Sequence, residues 1–181
     1  MNENTPVNPK ERLRVVRHDE REELWFLGEY TDFIITGAMT EGRLLVYTHD
    51  ALPNSAPPLH EHIGEDEILI LIEGSITFWA ADQEHTLYGG DAIVLPKDLP
   101  HTFRVGTEGA RYMVLTSPAN FENFVRDMSV PATFRGPEPG FEFTPEYTQR
   151  LNETAAKHGI TIMAPPGTLP TDFPGGTEPV R

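Results

Sequence analysis

The chain has 181 residues and no cysteine, and its 28 acidic against 14 basic side chains give a net charge of -14. That length buries about 70% of the surface exposed on unfolding, enough for one core with extensions. The negative charge repels nucleic-acid phosphates and anionic membrane surfaces, and the missing cysteines exclude disulfides and thiolate chemistry, leaving imidazole and carboxylate as the strong metal donors.

Residues 1–23 read as a polar N-terminal arm, for which partial disorder and an edge strand on Leu13, Val15 and Val16 are both open readings. Met1 to Arg17 lacks the apolar segment of a signal peptide, and the longest aliphatic run, Ile68 to Ile72, is far too short to span a bilayer. A soluble cytoplasmic protein is therefore expected. From Leu24 onward strand signals follow closely: Leu24 to Leu27, Asp32 to Thr36, Arg43 to His49, Ala56 to His62, Glu67 to Ile72, Ser75 to Ala80, His85 to Tyr88, Ala92 to Leu95, His101 to Val105 and Arg111 to Ser117. Glu41-Gly42, Ala81-Asp82-Gln83 and Gly89-Gly90 separate several of them as turns. Many short strands without helical spacers predict an all-β antiparallel sandwich or barrel over residues 24–117.

Beyond Pro118 the pattern becomes helical. Phe121, Phe124, Val125 and Met128 share one helix face in Ala119 to Ser129. Tyr147, Leu151 and Ala155 do so between Pro145 and Lys157, with Thr144 as N-cap and Gly159 as the stop. Residues 118–164 are thus expected to be a helical extension packed on the barrel, with Pro131 to Pro139 as a linker and 165–181 as a Pro/Gly-rich tail.

The chemistry concentrates in two segments. His60 and His62 are two apart, so on a strand their imidazoles leave the same face, whereas on a helix they would point about 200° apart. Glu67 lies five residues beyond His62, an odd offset that demands a bend, and Gly64 is the residue best suited to it. On the strand that follows, Leu69 and Leu71 share the face of Glu67, and Glu73-Gly74 reads as its closing turn. His101 opens another strand after the turn Pro96 to Pro100. These three histidines and Glu67 form a donor set suited to one divalent transition metal (Fe, Mn, Ni, Cu, Co or Zn) with a position left for a substrate.

This order resembles the cupin superfamily. The segment His60-x-His62, four residues, Glu67, six residues, Gly74 matches the first cupin motif, and Gly90, five residues, Pro96, four residues, His101 matches the second. Three positions depart from the pattern: Asn54 and Asp98 stand where glycines are expected, and Val105 where an asparagine is. The resemblance implies a jelly-roll barrel whose metal is held by His60, His62, Glu67 and His101. The segment Ser117 to Phe124 and the Asp66-Glu67 pair look like bacterial single-domain cupins similar to quercetin 2,3-dioxygenases. That likeness implies a homodimer that opens a flavonol or related enolic aromatic ring with O2, with Glu67 as the catalytic base. Two alternatives use the same site: a redox-neutral isomerase or cyclase, and a non-enzymatic binding module with a filled or closed cavity.

The remaining polar residues have blander readings. Glu65 and Asp66 read as a solvated turn, and His18, His49, His85 and His158 as surface or capping residues. Tyr47, Phe78, Trp79, Phe103, Tyr112 and Met113 read first as core, but those facing inward would line the cavity of an open barrel.

Overall fold

The segments of alternating apolar residues form strands in the computed structural model, which describes residues 13–169. They are β1 (Glu22–Phe26), β2 (Glu29–Ile35), β3 (Leu45–Ala51), β4 (Leu59–His62), β5 (Asp66–Ala80), β6 (Gln83–Tyr88), β7 (Ala92–Leu95) and β8 (His101–Ser117). Two further strands, β9 (Ser129–Pro131) and β10 (Ile160–Ala164), join three helices, α1 (Gly37–Thr40), α2 (Phe121–Asp127) and α3 (Pro145–Lys157). The sheet runs β10-β4-β8-β3-β2-β1-β9, β5 also pairs with β8, and β6 and β7 pair with β5. Every pairing is antiparallel. The result is the expected all-β jelly roll with a small helical C-terminal part.

Strand parity builds the interior. Leu45, Leu69, Leu71, Ile76, Phe78, Val105 and Val114 are at most 1% exposed, and Leu69 and Leu71 share their face with Glu67. The α2 helix closes one side by burying Phe121, Phe124 and Val125. The α3 helix begins where the sequence signals place it: the Tyr147 amide donates to the Thr144 hydroxyl at 3.2 Å, Pro145 follows the cap, and Leu151 and Ala155 are buried. Gly159, at φ +74°, turns the chain out of the helix.

Three features differ from the sequence reading. First, Glu73-Gly74 is not a closing turn, because β5 continues through it. The register against β8 shifts between Leu71 and Glu73 and again between Gly74 and Ile76, so β5 bends within the sheet. Gly74 has φ +85°, and a Cβ there would strike the Gly109 carbonyl of β8. The segments His101 to Val105 and Arg111 to Ser117 are likewise one strand. Second, residues 118–164 contribute strands as well as helices: β9 pairs with β1, and β10 pairs with β4. The Pro131 to Pro139 stretch begins with the last residue of β9, and the Ala132 amide continues that strand's bonding by donating to the Glu23 carbonyl at 3.0 Å. Third, Leu13 and Val15 stay exposed and no strand includes residues 13–16, so within the described part of the arm no edge strand precedes β1. Residues 1–12 of the arm and 170–181 of the tail lie outside the described residues.

The two substituted glycine positions keep the turn geometry. Asn54 has φ +61° and Asp98 φ +62°, the left-handed region that Asn and Asp tolerate better than other residues with a Cβ. Gly64 sits in the bend between β4 and β5, but its φ is not positive. A Cβ there would lie 3.1 Å from the Asn120 side-chain nitrogen, so the missing side chain leaves room for the approach of α2. No described helix is long and apolar enough to cross a membrane.

Candidate metal centre

Three strands place the four donors. His60 and His62 leave the same face of β4, Glu67 leaves the inner face of β5 one residue after it starts, and His101 opens β8 directly across from His60. Their ligand atoms all lie within 4.8 Å of one another. His62 and His101 are 2% exposed, and Glu67 is 12% exposed at its side chain.

The second nitrogen of each imidazole is tied down. His60 Nδ1 donates to the Pro58 carbonyl and His101 Nδ1 to the Leu99 carbonyl, each at 2.8 Å. A carbonyl can only accept, so Nδ1 carries the hydrogen and the lone pair of the neutral ring lies on Nε2. His62 Nδ1 bonds the Glu65 carboxylate at 2.8 Å, which sets the same tautomer. The freed Nε2 atoms of His62 and His101 stand 3.6 and 3.4 Å from Glu67 Oε2. Both are buried without a hydrogen-bond partner among the described residues. Orphaned nitrogens of this kind, beside a carboxylate and backed by fixed Nδ1 donors, fit a metal ion that supplies the missing partner.

The electrostatics prepare the donors. Burial and the neighbouring imidazoles push His60 down to about 3, so it is neutral at physiological pH. Burial pushes the Glu67 carboxyl up, but the close approach of His101 and the neighbouring imidazoles outweigh it and hold the group at about 2, ionised. For His62 burial favours the neutral ring, whereas the Glu65 hydrogen bond and the Glu67 and Glu65 charges prevail and raise it.

Glu65 corrects the sequence reading. Instead of lying in a solvated turn it is 2% exposed and orients His62, and the available signal was its position three residues beyond a histidine whose Nδ1 needs an acceptor. Asp66 is exposed, as expected, and its Oδ1 accepts from the Lys97 amide at 3.0 Å at the start of β5. His49 is the second correction. It shares strand parity with Leu45 and Tyr47, is 5% exposed, and lies between Thr31 Oγ1 and Glu29 Oε2, each at 2.7 Å. His158 caps α3 and pairs with Asp127, and His18 and His85 are exposed.

Three of the four donors, His60, Glu67 and His101, face a cavity of about 500 Å³ lined also by Tyr47, Phe78, Phe103, Tyr112, Phe121 and Phe124. Trp79 and Met113 do not line it. Phe121 comes from outside the barrel and sits 4.9 Å, centroid to centroid, from the His62 ring. Its contribution was not foreseen, because helix periodicity marks an apolar face without saying what that face covers. A cavity of this size, apolar with a few convergent polar groups, suits a small organic molecule.

Residues 48–116 match the cupin domain family, and that stretch holds all three imidazoles and the carboxylate. Among curated proteins the chain is similar to quercetin 2,3-dioxygenase of Bacillus subtilis (strain 168), with 26% identity over 92 residues. That match covers 51% of this chain and 27% of the other, so the chain spans about a quarter of that relative's length. Among solved structures, KdgF from Halomonas sp. aligns with a TM-score of 0.52 at 17% identity, covering 59% of this chain and 94% of that one. Oxalate decarboxylase of Bacillus subtilis, described with Mn(II) centres, aligns with a TM-score of 0.51 at 20% identity over 92% of this chain and 48% of that one. Both likenesses are of fold.

Proposed function

We propose that this chain is a metal-dependent dioxygenase that cleaves a flavonol or related enolic aromatic compound with O2, its metal held by His60, His62, Glu67 and His101. The observation that carries the reading is the set of three Nδ1-anchored imidazoles, two with orphaned buried Nε2 atoms, at the side of an aromatic cavity of about 500 Å³ that His60 and His101 line. The 26% identity to a quercetin 2,3-dioxygenase supports the choice of reaction.

A divalent metal in this set would acidify an enolic hydroxyl and hold a position open for it. The chain's own residues supply the rest. Phe78, Phe103 and Phe121 offer flat apolar walls that orient an aromatic ring and exclude water. Glu67 stays ionised and is the acceptor for the hydroxyl proton. The open cavity speaks against a binding module with a closed interior.

The test is incubation of metal-loaded protein with a flavonol panel in air and under argon, following oxygen uptake and absorbance. Ring opening with stoichiometric oxygen uptake is expected. Turnover under argon would replace the reading with a redox-neutral isomerase or cyclase, and no turnover with any metal would end it. A homodimer belongs to the same proposal: Ile72 and Val94 on the outer sheet face are 38% and 61% exposed, an apolar surface available to a second chain. Sizing chromatography that returned a monomer would remove it.

A further inference from the structure

Two side chains that line the cavity remain without a hydrogen-bonding role. Tyr47 is 4% exposed and Tyr112 6%, and neither hydroxyl forms a hydrogen bond among the described residues. Both project from the inner faces of neighbouring strands, paired two residues out of step: Tyr47 stands opposite Val114, and Tyr112 opposite His49. Neither hydroxyl is among the buried polar atoms left without a partner, so both open onto the apolar cavity, where a ligand can bring an acceptor within their reach.

The surroundings fix these rings in place. Tyr47 stacks on Phe121 at 6.3 Å, and Phe121 in turn covers His62. Tyr112 lies 5.2 Å from the His49 ring and meets Phe103 edge-on at 5.9 Å. His49 is itself clamped between Thr31 and Glu29, and Glu29 Oε1 accepts from the Leu52 amide at 2.8 Å, so the wall behind Tyr112 is rigid.

We propose that Tyr47 and Tyr112 are specificity-determining residues whose hydroxyls donate to the second oxygen of an aromatic ligand while its first oxygen faces His60, His62, Glu67 and His101. This rests on the dioxygenase reading and narrows its substrates to aromatic compounds carrying a hydroxyl and a ketone on adjacent carbons. Burial is the main cause that raises both phenols and keeps them protonated, and for Tyr112 the Glu29 charge acts in the same sense. The pair therefore donates and does not ionise, which suits a ketone oxygen and disfavours a second acidic hydroxyl.

The test measures binding under argon, by calorimetry, of 3-hydroxyflavone and of 3-phenyl-2-naphthol, which lacks the ketone, to the protein as purified and to its Tyr47→Phe and Tyr112→Phe variants. Each substitution is expected to weaken 3-hydroxyflavone by about 3- to 10-fold, the worth of one hydrogen bond, and to leave 3-phenyl-2-naphthol unchanged. Equal loss for both ligands would assign the tyrosines to packing, and no loss for either would leave them without a role; both results overturn the proposal. The unaltered protein supplies a measurement independent of any variant: it should bind 3-hydroxyflavone more tightly than 3-phenyl-2-naphthol, which keeps a flat ring and an acidic aryl hydroxyl but has no ketone, and the reverse order overturns the proposal. Failure of the unaltered protein to bind either compound would instead remove the flavonol substrate class, and this inference with it.

Discussion

Replacing Glu65 tests whether the site is organised around a metal. Its carboxylate is 2% exposed, and it accepts from His62 Nδ1 at 2.8 Å. Glu65→Ala leaves a buried N–H without a partner, a loss of about 1–3 kcal/mol, and frees the ring to turn or change tautomer. Partners of metal-bound histidines are typically worth about 10- to 100-fold in metal affinity, which equals about 1.4–2.8 kcal/mol at 1.4 kcal/mol per decade, the same range. Glu65→Gln retains an acceptor oxygen and should fall between the wild type and Glu65→Ala. The assay is competition against a chromophoric chelator for Zn2+ or Mn2+, with circular dichroism to establish that each variant is folded. Unchanged affinity in a folded Glu65→Ala protein would refute the reasoning, since His62 would then need no orienting partner.

Two further predictions concern the scaffold. Gly74→Ala places a Cβ against the Gly109 carbonyl at a residue with φ +85°, so a loss of at least about 1–2 kcal/mol is expected from the backbone conformation; thermal unfolding at neutral pH measures it, and an unchanged midpoint would show that the β5 bend relaxes freely. The Glu29 carboxyl is pushed up by burial, but the His49 hydrogen bond and charge outweigh this and hold it below its ordinary value of 4.5. A depressed carboxylate contributes stability that is fully present above the unfolded value and is lost as pH falls from about 4.5 through the folded value. The stability margin of the wild type over Glu29→Gln should therefore shrink as acid is added below pH 4.5, as urea titrations at a series of pH values would show, and a margin independent of pH would contradict the pairing.

Much of the barrel was legible because strand parity is a two-state property. Leu69 and Leu71 could only face with Glu67 or against it, and the offset of His60 from His62 left the strand as the natural setting. The bend at Gly74 was read as an end because a Gly after an apolar run signals both, and only pairing with β8 distinguishes them. The short strands β9 and β10 owe their conformation to the edges they meet, β1 and β4, and Ser129-Val130-Pro131 carries no periodicity of its own. Around the site, the donors stood out by motif spacing. Glu65 did not, because a carboxylate in a charged stretch reads as solvated until its imidazole partner is seen. The same holds for Tyr47 and Tyr112: sequence reads them first as core, and only the structure shows them lining the cavity with hydroxyls that bond no described residue.

The central claim is that His60, His62, Glu67 and His101 hold one divalent metal ion. Elemental analysis of the wild type and of His101→Ala, both purified without chelator and then equilibrated with Mn2+, Fe2+, Ni2+, Co2+, Zn2+ or Cu2+, addresses it most directly. About one equivalent per chain is predicted for the wild type with at least one of these metals, and a clear deficit for His101→Ala under the same conditions. Full occupancy in His101→Ala, or a wild type that retains none of them, would contradict the assignment.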